Sequence, residues 1–327
     1  MSFNDSADRA LLANVSRRTV LAMTGALLAA PSAAFAQAST GLKVGGVPED
    51  SITPALWAQQ SGLFKKNGLD VDVQSQRSGS AVAAAVLGGT YQFGKSSLPS
   101  VIIAHSKGIP FVVVAAGGLY ESTNPVIGLI VRSDSTMKTG ADLNGKTIAV
   151  SSLSDMYAIA VRLWVDKHGG DSSTIKLVEI PISAVAPALD AGRIDAGCTI
   201  EPELQDALGG GKVKIMCAPC DAIASDYLYT GWFTTADYAA KNRETVEAFV
   251  KSIREASAFY NTHRVATNDA ISRFSGVPIA TFLKMRRANV ALTLDPKQIQ
   301  PLIDATARAK VIAKSFDARE LVLAPTR

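Results

Sequence analysis

The sequence predicts an α/β fold of two domains, each an open, mainly parallel sheet flanked by helices, with a ligand cleft between them. Three observations predict it. From residue 42 onward, strand-like and helix-like segments alternate, which is the pattern of open parallel sheets. The alternation falls into two series, with extended stretches at 126–133 and 229–235 between them. After residue 235 the pattern turns to helices alone, at 241–261, 266–274, 279–288 and 297–314.

Taken in order, residues 42–46 read as a strand, 54–61 as a helix and 62–68 as its end plus a turn. Residues 69–74 alternate Val and Asp, as a strand does. An Ala/Val-rich helix at 80–87 stops at Gly88 and Gly89, and a strand end follows at 91–94. A helix at 98–106 ends at Gly108, and 110–116 is the continuous apolar run of a buried parallel strand. The second series has strands at 147–150, 175–180, 196–199 and 212–217, with helices at 157–167 and 185–191. Pro296 sits just inside a helix start, where its missing N–H costs nothing. These spans predict a discontinuous domain I at 40–128 plus 233–327 and a domain II at 132–229. Two crossings, near 126–133 and 229–235, make a hinge that permits closure around a ligand.

The chain has 327 residues, 47% hydrophobic and 19% charged, which supports substantial cores and excludes disorder as the main state. The net charge is +4 with no dense Lys/Arg run, so no nucleic-acid partner is expected. Arg17 and Arg18 directly precede an uncharged Leu/Ala-rich stretch at 20–30. Pro31 follows, and Ala34-Phe35-Ala36 has the small-x-small pattern of a cleavage site. Residues 1–36 therefore resemble a twin-arginine export signal cleaved after Ala36, although Val20 and Ala22 depart from the usual Phe and Lys. The apolar run is shorter than the roughly 20 residues a spanning helix needs. No cysteine follows the small residues, so a lipid anchor is not expected and a periplasmic location is. Cleavage leaves a net charge of +3.

Three cysteines remain, Cys198, Cys217 and Cys220. Cys217 and Cys220 have redox-motif spacing, but Pro219 and Asp221 place them where a strand runs into a loop. A structural or incidental pair is expected, with its bonding open. No second pair or nearby histidine completes a zinc site. His105, His168 and His263 are scattered and make no metal-binding spacing, and no nucleophile elbow is visible.

Three motifs carry a family resemblance. Residues 58–71 read AQQSGLFKKNGLDV, 141–150 read ADLNGKTIAV and 189–196 read LDAGRIDA. In this order they resemble the nitrate, sulfonate, taurine and thiamine-precursor family of ABC-transporter substrate-binding proteins. The resemblance covers most of the chain beyond the export signal. Physically the motifs are scaffold: the Gly-Leu-Phe turn ends a helix on a residue free to take positive φ, and Asp195 holds local backbone. The resemblance implies a type II periplasmic binding fold, a monomer, no cofactor, and a permease and ATPase as membrane partners. It implies a small, anionic organic solute such as a sulfonate or carboxylate. The same fold also carries enzymes, thiamine-pyrimidine-precursor synthases and desulfinases, and a periplasmic sensor subunit is a third alternative.

Ligands of open α/β sheets bind beyond the carboxyl ends of the strands, so the residues there are the site candidates. Glu49 and Ser51 follow the first strand, Arg77 the second, Ser96 and Ser97 the third, and Tyr120 the apolar strand. In the second series Ser151, Ser152, Ser154, Asp155 and Tyr157 follow the first strand, and Glu201 a later one. Trp232 lies on the returning crossing. Serines at helix starts either cap the helix or help its free N–H groups hold an anion. Arg77 either forks onto an anionic ligand or is a solvated surface residue. Glu201 either caps the next helix or accepts from a solute amine or hydroxyl. Tyr120, Tyr157 and Trp232 either wall an organic ligand or pack the hinge.

Overall fold

The computed structural model describes residues 41–323. The export signal expected at 1–36 lies outside the described residues. Among the described residues, no helix is long and apolar enough to cross a membrane.

The first series forms β1 (Leu42–Gly46), α1 (Thr53–Gln60), α2 (Leu63–Lys66), β2 (Val71–Ser75), α3 (Gly79–Leu87), β3 (Phe93–Ser97), α4 (Leu98–Ser106) and β4 (Phe111–Ala116). Gly62, between α1 and α2, has φ 75°, the left-handed conformation the motif requires. The short strand β5 (Gly118–Glu121) leads to β6 (Ile127–Arg132), which enters a second sheet. There follow β7 (Thr147–Val150), α5 (Met156–Lys167), β8 (Lys176–Glu179), α6 (Val185–Asp190), β9 (Ala196–Ile200), α7 (Glu203–Gly209) and β10 (Val213–Cys217). The chain returns through β11 (Asp226–Leu228) into β12 (Thr230–Thr235) of the first sheet. It ends in α8 (Ala236–Lys241), α9 (Arg243–Thr262), α10 (Asn268–Ser275), α11 (Ile279–Phe282), β13 (Asn289–Val290) and α12 (Pro296–Arg308).

The first sheet has the order β2-β1-β3-β12-β4 and the second β10-β6-β9-β7-β8. Each is mixed. β12 runs antiparallel to β3 and β4, and β6 antiparallel to β9 and β10, while the other strands of each sheet share one direction. The stretches 126–133 and 229–235 are thus the reversed strands. The chain passages themselves pair as a small sheet, β11-β5-β13, with Tyr227 opposite Tyr120. We call each large sheet with its helices a lobe.

One apolar cluster runs from Leu98 on α4 and Val113 on the first sheet through Tyr120 and Tyr227 to Leu129 and Ile148 on the second. The first sheet's other face packs on α1 and α9. Val246, Phe249, Ile253, Ala256 and Tyr260 recur at three- and four-residue spacing and form the buried stripe of α9. The Phe249 ring stacks on Phe93 at 4.0 Å and meets Trp232 edge-on at 5.5 Å.

Two C-terminal expectations change. The helix expected at 279–288 stops at Phe282, because Asp50 claims the rest: it ion-pairs with Arg287 at 2.9 Å and accepts from Ala288 N at 2.9 Å. The helix expected at 297–314 ends at Arg308, and Lys310 turns the chain with φ 57°. All three cysteines are free thiols. Cys217 closes β10, Cys220 lies in the turn Pro219–Ala222, and Cys198 is buried on β9.

Candidate functional site

The site candidates gather where the carboxyl ends of the two sets of strands face each other. On the first lobe the central group is Lys95, the third residue of β3, with 0% of its surface exposed. Its Nζ donates to Glu49 Oε1 and, at 2.7 Å, to Ser51 Oγ. Ser51 Oγ also lies 3.5 Å from Thr230 Oγ1. Burial pulls the Lys95 ammonium below its ordinary value, and Glu49 opposes that shift. The neighbouring Asp50 is satisfied in the same manner, by Arg287, by Ala288 N and by the Tyr260 hydroxyl at 2.6 Å. The turn Asp50–Ile52 therefore carries two buried carboxylates on its leading edge, each with its own cation.

Beside this pair stands the start of α3. Ser78 caps it, accepting from Ala81 N at 3.3 Å. Gly79 is what lets α3 approach β3 so closely, since a Cβ there would meet Ser96 Cβ at 2.9 Å. Ser80 then faces the second lobe, its Oγ 3.4 Å from Ser152 Oγ. The lobes also join through Asp50 N, which donates to Glu201 O at 3.2 Å.

The second lobe is built differently. Asp155 caps α5 and accepts from Ser151 Oγ, from Ser152 N at 2.9 Å and from Ala158 N at 3.1 Å. Glu179 Oε1 accepts from Leu153 N at 2.8 Å and from Ser152 Oγ at 3.2 Å. In the loop at 151–157, a helix cap or an anion cradle on sequence, the Ser151 hydroxyl and the N–H groups of Ser152 and Leu153 are thus held by the protein's own carboxylates. Glu201 Oε2 accepts from Gln205 N at 2.9 Å, which is the capping alternative. Burial raises these acids: Asp155 to about 6, Glu201 to about 7 and Glu203 to about 8. Among the described residues no cation pairs with Asp155, Glu201 or Glu203.

The structure therefore brings together Glu49, Ser51, Ser96, Ser152, Asp155, Tyr157 and Glu201 as buried groups at the facing ends, with Ser97, Ser151 and Ser154 partly exposed beside them. Tyr157 is buried at the start of α5, and burial raises its hydroxyl well above the ordinary value, with Glu49 and Asp155 adding to the shift. Two expected wall residues are placed elsewhere. Tyr120 packs on Tyr227, ring centroids 5.2 Å apart, with its hydroxyl on Asp221, and Trp232 belongs to the core under α9. Arg77 is exposed, and among the described residues no carboxylate pairs with it.

Lys95, Thr230, Tyr229 and Glu203 were missed as site candidates. Lys95 sits where β3 was expected to have ended, and only its total burial marks it. The Tyr229 hydroxyl, near Ser51, is buried without a well-formed hydrogen bond. Glu203 follows Glu201 and Pro202, and nothing in the sequence around it gave it a role. It lines a cavity of about 290 Å³ together with Thr199. Among the described residues, no group of His, Cys, Asp and Glu could hold a metal ion.

A two-lobed α/β fold with mixed sheets and polar groups converging between them is the periplasmic binding protein fold. The alkanesulfonate-binding protein SsuA from Xanthomonas axonopodis pv. citri, solved with MOPS, superimposes with a TM-score of 0.73 at 17% identity, over 86% of this chain and 98% of that one. The model of the NMT1/THI5-like family matches residues 49–264, and the chain belongs to that family. The taurine-binding periplasmic protein of Escherichia coli (strain K12) is 26% identical over 259 residues, 75% of this chain and 77% of that protein. The 4-amino-5-hydroxymethyl-2-methylpyrimidine phosphate synthase of Schizosaccharomyces pombe is 23% identical over 215 residues, 62% of this chain and 60% of that protein.

Proposed function

We propose that this chain is the periplasmic solute-binding component of an ABC importer and takes a small, anionic organic solute between its lobes. The observation that carries this is the convergence of buried polar groups from both lobes on one place, with Ser80 and Ser152 in contact across it. The solute's acid group lies at the start of α3, by Ser78 and Ser80, where backbone N–H groups point outward and the neighbouring carboxylate is already neutralised by Lys95. Domain I is residues 40–128 plus 233–327 and domain II is 132–229, moving about the passages between the sheets. The closed form is what a membrane permease with its ATPase recognises. An export signal cleaved near Ala36 brings the protein to that membrane.

The synthase relative favours one second reading, an enzyme on this fold. Against it, burial pushes the thiols of Cys198, Cys217 and Cys220 above their ordinary value, opposite to what an attacking thiolate needs. The test is a thermal-shift and titration series with sulfonates, carboxylates, nitrate and pyrimidines. A solute at about a hundred times its Kd raises stability by roughly 2.7 kcal/mol. Ser152→Tyr fills the space between the lobes and abolishes that rise, with the melting temperature of the ligand-free protein nearly unchanged. Undiminished binding by the variant removes the interlobe site, and turnover of any of these compounds favours the enzyme.

A further inference from the structure

We propose that the outer face of the first lobe carries a second binding site, a groove that takes a free, single-chain amphiphile with an anionic head, such as a medium-chain carboxylate. The groove lies between β4, α8 and α9, has a volume of about 390 Å³ and shares no residue with the site between the lobes. That size is within the range of roughly 300–1,000 Å³ seen for small-molecule sites. It exists because β4 is the edge strand of its sheet and α9 lies over the inner ones, with Phe249 stacked on Phe93 of β3 and edge-on to Trp232 of β12. The face of β4 is left to α8, whose Ala236 and Ala239 extend no further than a methyl group. The floor is therefore Val112 and Val114 of β4 with Val246 and Val250 of α9. Beyond the edge, Val113 N donates to Leu321 O at 2.7 Å and Leu323 N to Val113 O at 2.9 Å, which stands Leu323, 36% exposed, as the outer wall.

The charges on the rim choose the ligand. Among the described residues that line the groove are three cations, Arg243, Lys251 and Arg254, and one acid, Glu247. Lys251 also reaches Glu255 at 3.9 Å, and Glu255 lies outside the lining. Lys251 and Arg254, three residues apart, are neighbours on the helix surface. Both are exposed, and such side chains keep their heads in water while their stems cover apolar surface. An acid head placed there accepts from both, and its chain runs along Val250 and Val246 toward α8. A neutral chain of the same length gains the floor alone, and a cationic head is repelled. The apolar surface is concave, so a flat bilayer does not reach it and the ligand is a free molecule.

The test is calorimetric titration of the purified protein with hexanoate, octanoate, decanoate and dodecanoate, each below its micelle concentration. Affinity rises about fourfold per methylene until the chain fills the groove, then levels off. Decanol binds up to about fivefold more weakly than decanoate, the value of an exposed ion pair. The double variant Lys251→Gln, Arg254→Gln removes that difference, and both side chains are exposed, so the fold is kept. Ala240→Trp, at an exposed lining residue, fills the groove and lowers decanoate affinity about tenfold or more, as the loss of about two buried methylenes would. Ser152→Tyr closes the cleft and leaves decanoate binding intact, which separates this groove from the solute site. Affinity that climbs with every added methylene, or that Ala240→Trp leaves unchanged, is nonspecific adsorption and overturns the site. Decanol binding as tightly as decanoate overturns the anionic head. Loss of decanoate binding in Ser152→Tyr assigns the acid to the cleft, and a dimer in sedimentation that Ala240→Trp breaks assigns the groove to a second copy; either overturns the proposal.

Discussion

The two lobes bring buried carboxylates to the same place in opposite ways. On the first, Glu49 has Lys95 and Asp50 has Arg287. On the second, Asp155 and Glu201 have only neutral donors and Glu203 Oε2 has none. The difference follows from topology. The turn after β1 is flanked by β3 and by the C-terminal segment 286–288, so each carboxylate meets a cation from a distant part of the chain. The second lobe's loops are flanked mainly by their own helix starts, which supply N–H groups, and the one cation acting on Glu201, Arg286, does not offset its burial. The first lobe is therefore electrically complete before any solute arrives. The second is left short of positive charge.

The largest effect expected tests the first half of that contrast. Lys95→Met leaves Glu49 buried with only Ser51 for a partner. Breaking a buried pair in this way costs about 3–5 kcal/mol, and adding Glu49→Gln returns most of the loss. Urea unfolding of the two variants measures it. A loss under about 1 kcal/mol for the single variant would mean that solvent or a neighbour already serves Glu49, and the first lobe would not be complete.

A smaller effect tests the second half. Asp155, Glu201 and Glu203 are all raised above their unfolded values by burial, to about 6, 7 and 8. In this window the folded state binds more protons than the unfolded one, so stability falls as pH rises. The contribution is complete below the unfolded carboxyl range and is lost through the folded values. The ligand-free melting temperature should thus decline by several degrees from about pH 5 to about pH 8, most of the decline above pH 6 disappearing in a Glu201→Gln, Glu203→Gln double variant. Asp142, Asp171 and Asp317 are lowered instead, and they act in the opposite sense only at more acid pH. A melting temperature that rises across this window, or a decline the double variant keeps, places the unpaired charge elsewhere.

How much of this was legible in the residues follows the same divide. The strands, the turn at Gly62 and the facing ends of the sheets could be read from alternation, glycines and the three motifs, because local chemistry sets them. The reversed direction of β6 and β12 could not, since strand sense depends on which lobe the chain has just left. The end of α11 at Phe282 was hidden for the same reason: Asp50, more than two hundred residues away, takes Ala288 and Arg287. Within the site, Ser51 and Ser152 were visible as loop residues after strands. Lys95 was not, because a lysine just past an expected strand end reads as solvated until its burial is known. Trp232 was misleading in the opposite direction, a large aromatic on a crossing strand that turned out to have a core to fill.

The smallest effect expected concerns Arg77, the arginine that first suggested an anion clamp. It is exposed, with no ion pair among the described residues, so Arg77→Ala should change stability by no more than about 0.5 kcal/mol. Its effect on solute affinity should fall within a factor of about two, as for a rim charge screened by solvent. The measurement is worth making because it can add the element the contrast lacks. If affinity for a monovalent acid drops tenfold and the drop shrinks with added salt, Arg77 swings over the cleft when solute binds. The first lobe would then hold a free cation after all, and the acid group would be fixed by a side chain in place of the start of α3. If affinity holds, the buried cations beside the cleft are Lys95 and Arg287, already neutralised by Glu49 and Asp50. Recognition of the acid then falls to backbone N–H groups and serine hydroxyls. Such a site discriminates by the shape and hydrogen-bond count of the acid group more than by its charge.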